Sequence, residues 1–600
     1  MKHLLLFSIL ILSTVAYAQN ISVTQLGRYT DGRDAACEIS AYNAATKRLF
    51  TTNAASYSID IFDINNPATP TKIGGVDVSN YGGGVNSVVN LGNDYFAAAI
   101  EDTVKQDSGK VVFFDTDGTY ITHVMAGALP DMITVSPDGQ KILVANEGEP
   151  NDDYTVDPEG SITIIDISGG IANVTSSDVT HLNFNAAPTS IPGGLKKPGT
   201  TWAVDLEPEY IAINESSTVA LVVCQENNVA IIVNLLNNSI VAYTGLGFKD
   251  HSVAGNGFDA SNEDNGINIQ NWNVKGVYQP DAIASFDANN ATYFISANEG
   301  DARDYDGYSS ETRIKDLVLD SATFAGMPNI QDDAMLGRLK TFTADMIGDT
   351  DNDGDVDELY SYGARSFSIW DQTGALVWDS GDAIEQYMAA NHPSFFNCNS
   401  GLASKSDSRS DDKGAEPEAV TIGKIGNRIY AFIGLERQGG VLVYEVSNPS
   451  APTFETFIHN FDTAMGTMVD ISPEGLIFVP ASESHTGTNL LIVSHEFSGT
   501  TTIYEIGDLL SNVNVLEEAT NVRIYPNPAS DYINIEIDQS KAEVLQYVIT
   551  NAVGQTVLTG SMNDSSLSLN ISNLAKGVYG ITLFNKEQSQ LIKTTTIVKY

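Results

Sequence analysis

One arrangement of polar and apolar positions recurs along most of the chain: an acidic residue, an apolar run, a turn, a second apolar run and an acidic end. It is clearest from Asp131 through Pro137-Asp-Gly to Glu147, from Glu209 to Glu226, from Asp281 to Glu299 and from Glu418 to Glu436. The acid-to-acid separations are 16, 17, 18 and 18 residues, which suits two strands of about six residues joined by a short turn. A further strand follows most of these hairpins, at 161–166, 229–233 and 440–445, and at 366–370 after a long interruption. Weaker copies run from Glu38 to Asp63, Asn86 to Asp115 and Val469 to Glu505, bringing the units to seven. Repeated short strands with acidic or glycine-bearing turns predict an all-β chain, a seven-bladed β-propeller with long inserted loops. A right-handed β-helix would repeat at shorter intervals than these units of about 30 residues. The insertions fall at 168–205, 237–279 and 305–365, the third with helices expected at 312–319 and 332–346. From Glu517 the composition changes, and 521–537, 543–560, 565–585 and 592–599 alternate apolar and polar residues with period two. That alternation predicts a small C-terminal β-sandwich.

The balance of 76 acidic against 31 basic residues gives a net charge of −45. Such a surface repels nucleic-acid phosphates and anionic lipid and favours cationic partners, metal ions above all. At the N-terminus Lys2 and His3 precede an apolar run from Leu4 to Val15 and the small-x-small triplet Ala16-Tyr17-Ala18. This is the pattern of a signal peptide, and the mature chain is expected to begin near Gln19. The run is too short to span a bilayer, which takes about 20 helical residues. No later stretch of that length is apolar, so the mature chain is expected to carry no transmembrane segment. Cys37, Cys224 and Cys398 allow at most one disulfide, and Cys224 reads as a small buried hydrophobe.

Two constellations could carry chemistry. In Asp349-Thr-Asp351-Asn-Asp353-Gly354-Asp355-Val-Asp357-Glu358, carboxylates alternate around a glycine-permitted turn. This donor pattern suits Ca²⁺, a hard cation that takes about six to eight oxygens. Tyr360 stands where an EF-hand would place its bidentate glutamate, so the reading is a non-EF calcium loop, weighed against a solvated acidic turn. The second constellation follows from the repeats. Antiparallel pairing brings Asp131 towards Glu147, Glu209 towards Glu226, Asp281 towards Glu299 and Glu418 towards Glu436. A propeller would gather these pairs at one mouth of its channel, with Glu149, Glu207, Asp301 and Glu416 adding carboxylates and Arg303, Lys413 and Arg437 beside them. So many acids require a metal ion or an arginine network. Should the site be catalytic, the candidates are Glu147, Glu299, Glu436, Arg303, Lys413 and Arg437. Against that, each acid could simply cap a blade turn. No G-x-S-x-G or H-E-x-x-H pattern occurs, and Asp250-His251-Ser252 are merely consecutive.

Tyr525-Pro-Asn-Pro-Ala-Ser-Asp531, Asn551-Ala-Val-Gly-Gln555, Leu574-Ala-Lys-Gly-Val-Tyr579 and the basic end at Lys599 resemble the C-terminal sorting domain of type IX secretion substrates. The resemblance implies handling by that machinery, transport across the outer membrane, and surface attachment or release. Asn146-Glu-Gly-Glu-Pro150, Tyr278-Gln-Pro-Asp281, Gly363-Ala-Arg-Ser-Phe-Ser-Ile-Trp370, Arg409-Ser-Asp-Asp-Lys-Gly414 and Gly434-Leu-Glu-Arg437 resemble the choice-of-anchor I family over roughly Ile21 to Ile506. The expected organisation is a leader at 1–18, a propeller at 19–506, a linker at 507–520 and a sorting domain at 521–600. The expected role is a secreted, calcium-stabilised binding or adhesion module for an extracellular ligand. The alternatives are a Ca²⁺-dependent phosphoesterase and a purely structural surface-layer component.

Overall fold

The computed structural model describes residues 20–509, 522–537, 545–551, 556–562, 564–585 and 590–600. The expected leader and most of the expected linker lie outside them. The chain forms two compact units, one within Val23–Ile506 and the other holding Gly507–Tyr600.

In the larger unit four-stranded antiparallel sheets follow one another along the chain at 40–77, 84–128, 130–182, 210–245, 283–379 and 417–458. A seventh combines the strands Pro473–Val479, Asn489–His495 and Thr500–Asp508 with the N-terminal strand Ile21–Thr30 on its outer side. The innermost strands of successive sheets touch in order, and Pro473–Val479 of the last touches Ser40–Asn43 of the first, closing the ring. This is the architecture of a β-propeller.

The second strand of each sheet shows why the sequence folds this way. Lys141–Asn146, Val219–Cys224 and Arg428–Leu435 are buried almost throughout. Each sheet is covered on both faces by its neighbours, so these strands carry apolar residues without alternation, the pattern of a strand buried on both sides. Leu143, Ala145, Ile162 and Ile164 of the third sheet interlock with Ile211, Ala220, Val222 and Ile231 of the fourth. Burying each such Leu, Ile or Val contributes about 1.5–3 kcal/mol. The innermost strands Pro130–Val135 and Tyr210–Ile213 open on the channel at their first residues, where Asp131, Met132 and Tyr210 line it.

The third insertion departs from expectation. Residues 312–319 contain the end of the strand Glu311–Arg313 and the 3-10 turn Ile314–Asp316, and 332–346 contain the strand Lys340–Phe342, which pairs with Glu311–Arg313. The segment closes on a small core of its own, with Phe258, Trp272, Ile314, Phe324, Leu336 and Leu339. Packing into that core overrides the local helical preference. The three cysteines are free and buried. In the smaller unit a three-stranded and a four-stranded sheet share a core that includes Ile533, Ile535, Ile549, Ile581 and Ile597, which makes it a β-sandwich.

Candidate functional site

The first residues of the innermost strands line a central chamber of about 340 Å³. Six of the seven sheets contribute a carboxylate: Glu38, Asp131, Glu209, Asp281, Glu418 and Glu474, with Asn86 in the remaining place. In five sheets the acid follows a proline, at Pro130, Pro208, Pro280, Pro417 and Pro473. Proline has no N–H to give the ladder, and the strand register breaks at the acid in three of these sheets. The same break surrounds Asn86. A bulge of this kind turns a side chain out of the sheet. Before the proline, Leu129, Gln279, Glu416 and Ser472 adopt φ of 45°, 42°, 54° and 63°, at a cost of about 1–3 kcal/mol each. The strain recurs at the same structural position, beside the chamber.

The ends of the second strands add the next tier. One carboxylate oxygen from each of Asp131, Glu147 and Glu209 lies within 4.8 Å of the others, and so does one from each of Glu299, Glu416 and Glu436. Glu147 and Glu209 belong to the first of these groups, and the charge of Glu474 bears on Glu418. Burial first, and neighbouring carboxylates second, push Asp131 up to about 7 and Glu38 to about 8. The same causes place Glu496, which also lines the chamber, at about 7. Burial, with the charge of Asp301 added, outweighs Arg303 at Glu226, also raised to about 7. Glu147, Glu209, Asp281 and Glu418 are all driven well above the ordinary carboxylate range, again chiefly by burial.

Positive charge is distributed unevenly around this channel. Arg303 is 2% exposed and pairs with Glu207 at 3.1 Å and Asp205 at 3.5 Å. Lys413 reaches Glu299 at 2.6 Å, Glu416 at 3.5 Å and Asp301 at 3.6 Å. Arg409 pairs with Glu416 at 2.6 Å, and Arg437 with Glu436 at 3.0 Å and Glu416 at 3.4 Å. Burial opposes ionisation of Glu416, yet Lys413 and Arg409 hold it below its ordinary range. Among the described residues, none of these pairs reaches the six chamber acids or Glu147. Lys105 acts on Asp131 only from a distance.

Arg365 fixes the loop that carries Arg409 and Lys413. Its guanidinium donates to Glu385 Oε1 at 2.8 Å and to the carbonyls of Asp259, Ser410 and Asp412 at 2.8, 2.7 and 2.7 Å. It also lies 4.5 Å over the Phe258 ring. Beside this loop Lys340, Arg409, Lys413, Asp301, Asp304 and Tyr362 line a cavity of about 200 Å³.

In the acidic loop, carboxylate oxygens of Asp349, Asp351 and Asp353 come within 4.8 Å of one another. Asp349 accepts from the backbone N–H of Asn352, Asp353 and Gly354 at 2.7, 3.2 and 3.0 Å, and Gly354 has φ 99°. Asp351 is raised by the charge of Asp353. Asp355 donates its N–H to Asp353, and Asp357 accepts from Thr350. Glu358 turns away from the cluster to Lys275 and the Tyr360 hydroxyl, each at 2.6 Å. At the consecutive trio, Ser252 donates to Asp250 while His251 Nδ1 faces the Asn256 carbonyl, so no relay passes through the histidine. The structure adds Glu38, Glu474 and Glu496 to the site. Their sequence signal is weak in two of these three positions, but a proline preceding an acid at each innermost strand would have marked Glu474.

The chain is 32% identical over 198 residues to Gigasin-3a of Magallana gigas, covering 30% of this chain and 69% of that protein. It is 26% identical over 348 residues to the mesenchyme-specific cell surface glycoprotein of Strongylocentrotus purpuratus, covering 48% of this chain and 44% of that one. Among solved structures, the β-propeller domain of Cps50 (Swd1) from Myceliophteria thermophila aligns at 9% identity and TM-score 0.39, over 80% of this chain and 99% of that one. Residues 523–599 match the secretion system C-terminal sorting domain, so this is a secreted, cell-surface protein handled by the type IX secretion machinery. Residues 38–449 match the choice-of-anchor I domain, and the chain belongs to the choice-of-anchor I family.

Proposed function

We propose that the protein is a calcium-stabilised binding module that displays its propeller to an extracellular ligand at the cell surface. The observation that carries this reading is that the cations a phosphoester hydrolase would use are already engaged. Arg303 is enclosed between Glu207 and Asp205, Lys413 is held by Glu299 and Glu416, and Arg437 lies against Glu436. Paired in this way, they position loops around the channel. Calcium enters the reading through Asp349, Asp351 and Asp353, whose spacing suits a hard cation and whose backbone is already turned around Gly354. Asp355, Asp357 and Glu358 would support the loop, Glu358 by tying it to Lys275. Similarity to the mesenchyme-specific cell surface glycoprotein of Strongylocentrotus purpuratus supports display at a surface.

A hydrolytic reading draws on the Glu299, Glu416 and Glu436 cluster and the adjoining cavity lined by Lys340 and Arg409. In it Glu147, Glu299 and Glu436 would hold calcium, and Arg303, Lys413 or Arg437 would receive phosphate. The two readings separate in one experiment on the full secreted chain. Phosphomonoesters, phosphodiesters and carboxylic esters are offered with calcium and with EDTA, alongside Glu147→Ala, Glu299→Ala and Glu436→Ala. The binding reading predicts no turnover above the blank while calcium raises the melting temperature. Turnover lost both in EDTA and in those variants would replace it with the hydrolase.

A further inference from the structure

The chamber and its surroundings differ in one respect that points to a ligand. Arg303, Lys413, Arg409 and Arg437 compensate the carboxylates on one side of the channel. The chamber acids have no such partner among the described residues. They meet other acids instead: Asp131 and Glu209 lie with Glu147 of the next tier, one oxygen of each within 4.8 Å of the others. Carboxylates gathered this closely repel one another unless a cation compensates them. An independent observation comes from Glu418, which is 9% exposed and lines the chamber while its Oε2 has no hydrogen-bond partner. A buried acceptor left open in this way costs about 1–3 kcal/mol, more when charged.

We propose that the central chamber is a second calcium site, in which Asp131, Glu147 and Glu209 bind the ion directly and Glu418 holds its water shell. The donor set is all carboxylate oxygen, with no imidazole or thiolate, and so suits a hard cation. Oxygens within 4.8 Å of one another are close enough to share one ion bonded at about 2.4 Å. A cavity of about 340 Å³ leaves room for several waters, each of which occupies about 30 Å³. Because the ligands come from the third and fourth sheets, the ion joins two blades at the axis. The bulge after Pro130 and the strained Leu129 present Asp131 to it. This site is separate from the 349–358 loop, and either could fail without the other.

The test is calorimetric titration of calcium into the chelator-stripped full secreted chain. The parent is expected to bind at two sites. Asp349→Asn with Asp351→Asn and Asp353→Asn should leave one. Adding Asp131→Asn and Glu209→Gln should reduce the remaining affinity at least 100-fold. These amides keep the shape and remove the repulsion, so in EDTA the chamber variant should melt no lower than its parent, which separates a lost site from a lost fold. Terbium supplies a second readout, since Tyr210 lines the chamber and can sensitise its emission. In the loop variant that emission should be displaced by calcium and largely lost on Tyr210→Phe. Undiminished binding in the folded chamber variant, or a loop variant that binds no calcium, would overturn the proposal.

Discussion

Replacing Arg303 with methionine removes a fully buried guanidinium and leaves its partners enclosed. Its Nη2 donates to Glu207 Oε2 and to the Asp205 carbonyl, each at 3.1 Å. Asp205 would keep the Lys197 N–H and Asn227 Nδ2 as donors, whereas Glu207, itself 3% exposed, would lose its cation. Removing one member of a buried pair typically costs about 3–5 kcal/mol. For a unit of about 480 residues, an unfolding entropy near 2.1 cal/mol/K per residue gives roughly 1 kcal/mol per degree. The variant should therefore melt about 3–5 °C below the parent by scanning calorimetry in calcium buffer. Arg303→Met combined with Glu207→Gln should recover at least about 1.5 kcal/mol, because the stranded charge is gone. An Arg303→Met protein that melts within 1 °C of the parent would refute the structural role, and loss of ligand binding at unchanged stability would return Arg303 to the functional surface.

Three further predictions follow from the same geometry. Arg365→Lys cannot reproduce four fixed hydrogen bonds, and should cost about 2–4 kcal/mol and open Arg409 and Lys413 to trypsin, read by limited proteolysis. In EDTA the melting temperature should fall between pH 6.5 and 8.5. There the folded state holds protons on Asp131, Glu226 and Glu496 up to about 7 and on Glu38 to about 8, whereas unfolded carboxyls ionise near 4, so stability present at low pH is lost as pH rises. A flat or rising curve across that window would contradict the assignment. Gly354→Val places a branched residue at φ 99° and should weaken calcium binding by the loop roughly tenfold or more, measured in a chain whose chamber acids are amidated.

The propeller was legible because each buried hairpin imposes the same spacing between its acids, and because strands covered on both faces must be apolar throughout. Glu147, Glu299 and Glu436 were legible for the same reason. Glu38, Glu474 and Glu496 were harder to see, since their units are diluted copies of the repeat. The insertion was misread at 312–319 and 332–346 because local helical preference says nothing about Trp272 or Phe258, which supply the core on which the segment folds. The role of Arg365 was hidden by separation: it donates to Asp259, 106 residues before it, and to Asp412, 47 after it. No local pattern records such pairings. The division of the channel acids into arginine-compensated and uncompensated groups likewise depends on three-dimensional placement alone.

The most direct test of calcium stabilisation is the melting temperature of the full secreted chain as free calcium rises from EDTA-buffered to millimolar levels. Each site contributes about 2.7 kcal/mol once calcium exceeds its dissociation constant 100-fold. Two sites should thus raise the melting temperature by roughly 5 °C on the entropy scale used above. A melting temperature that does not change across that range would contradict the account at both the loop and the chamber.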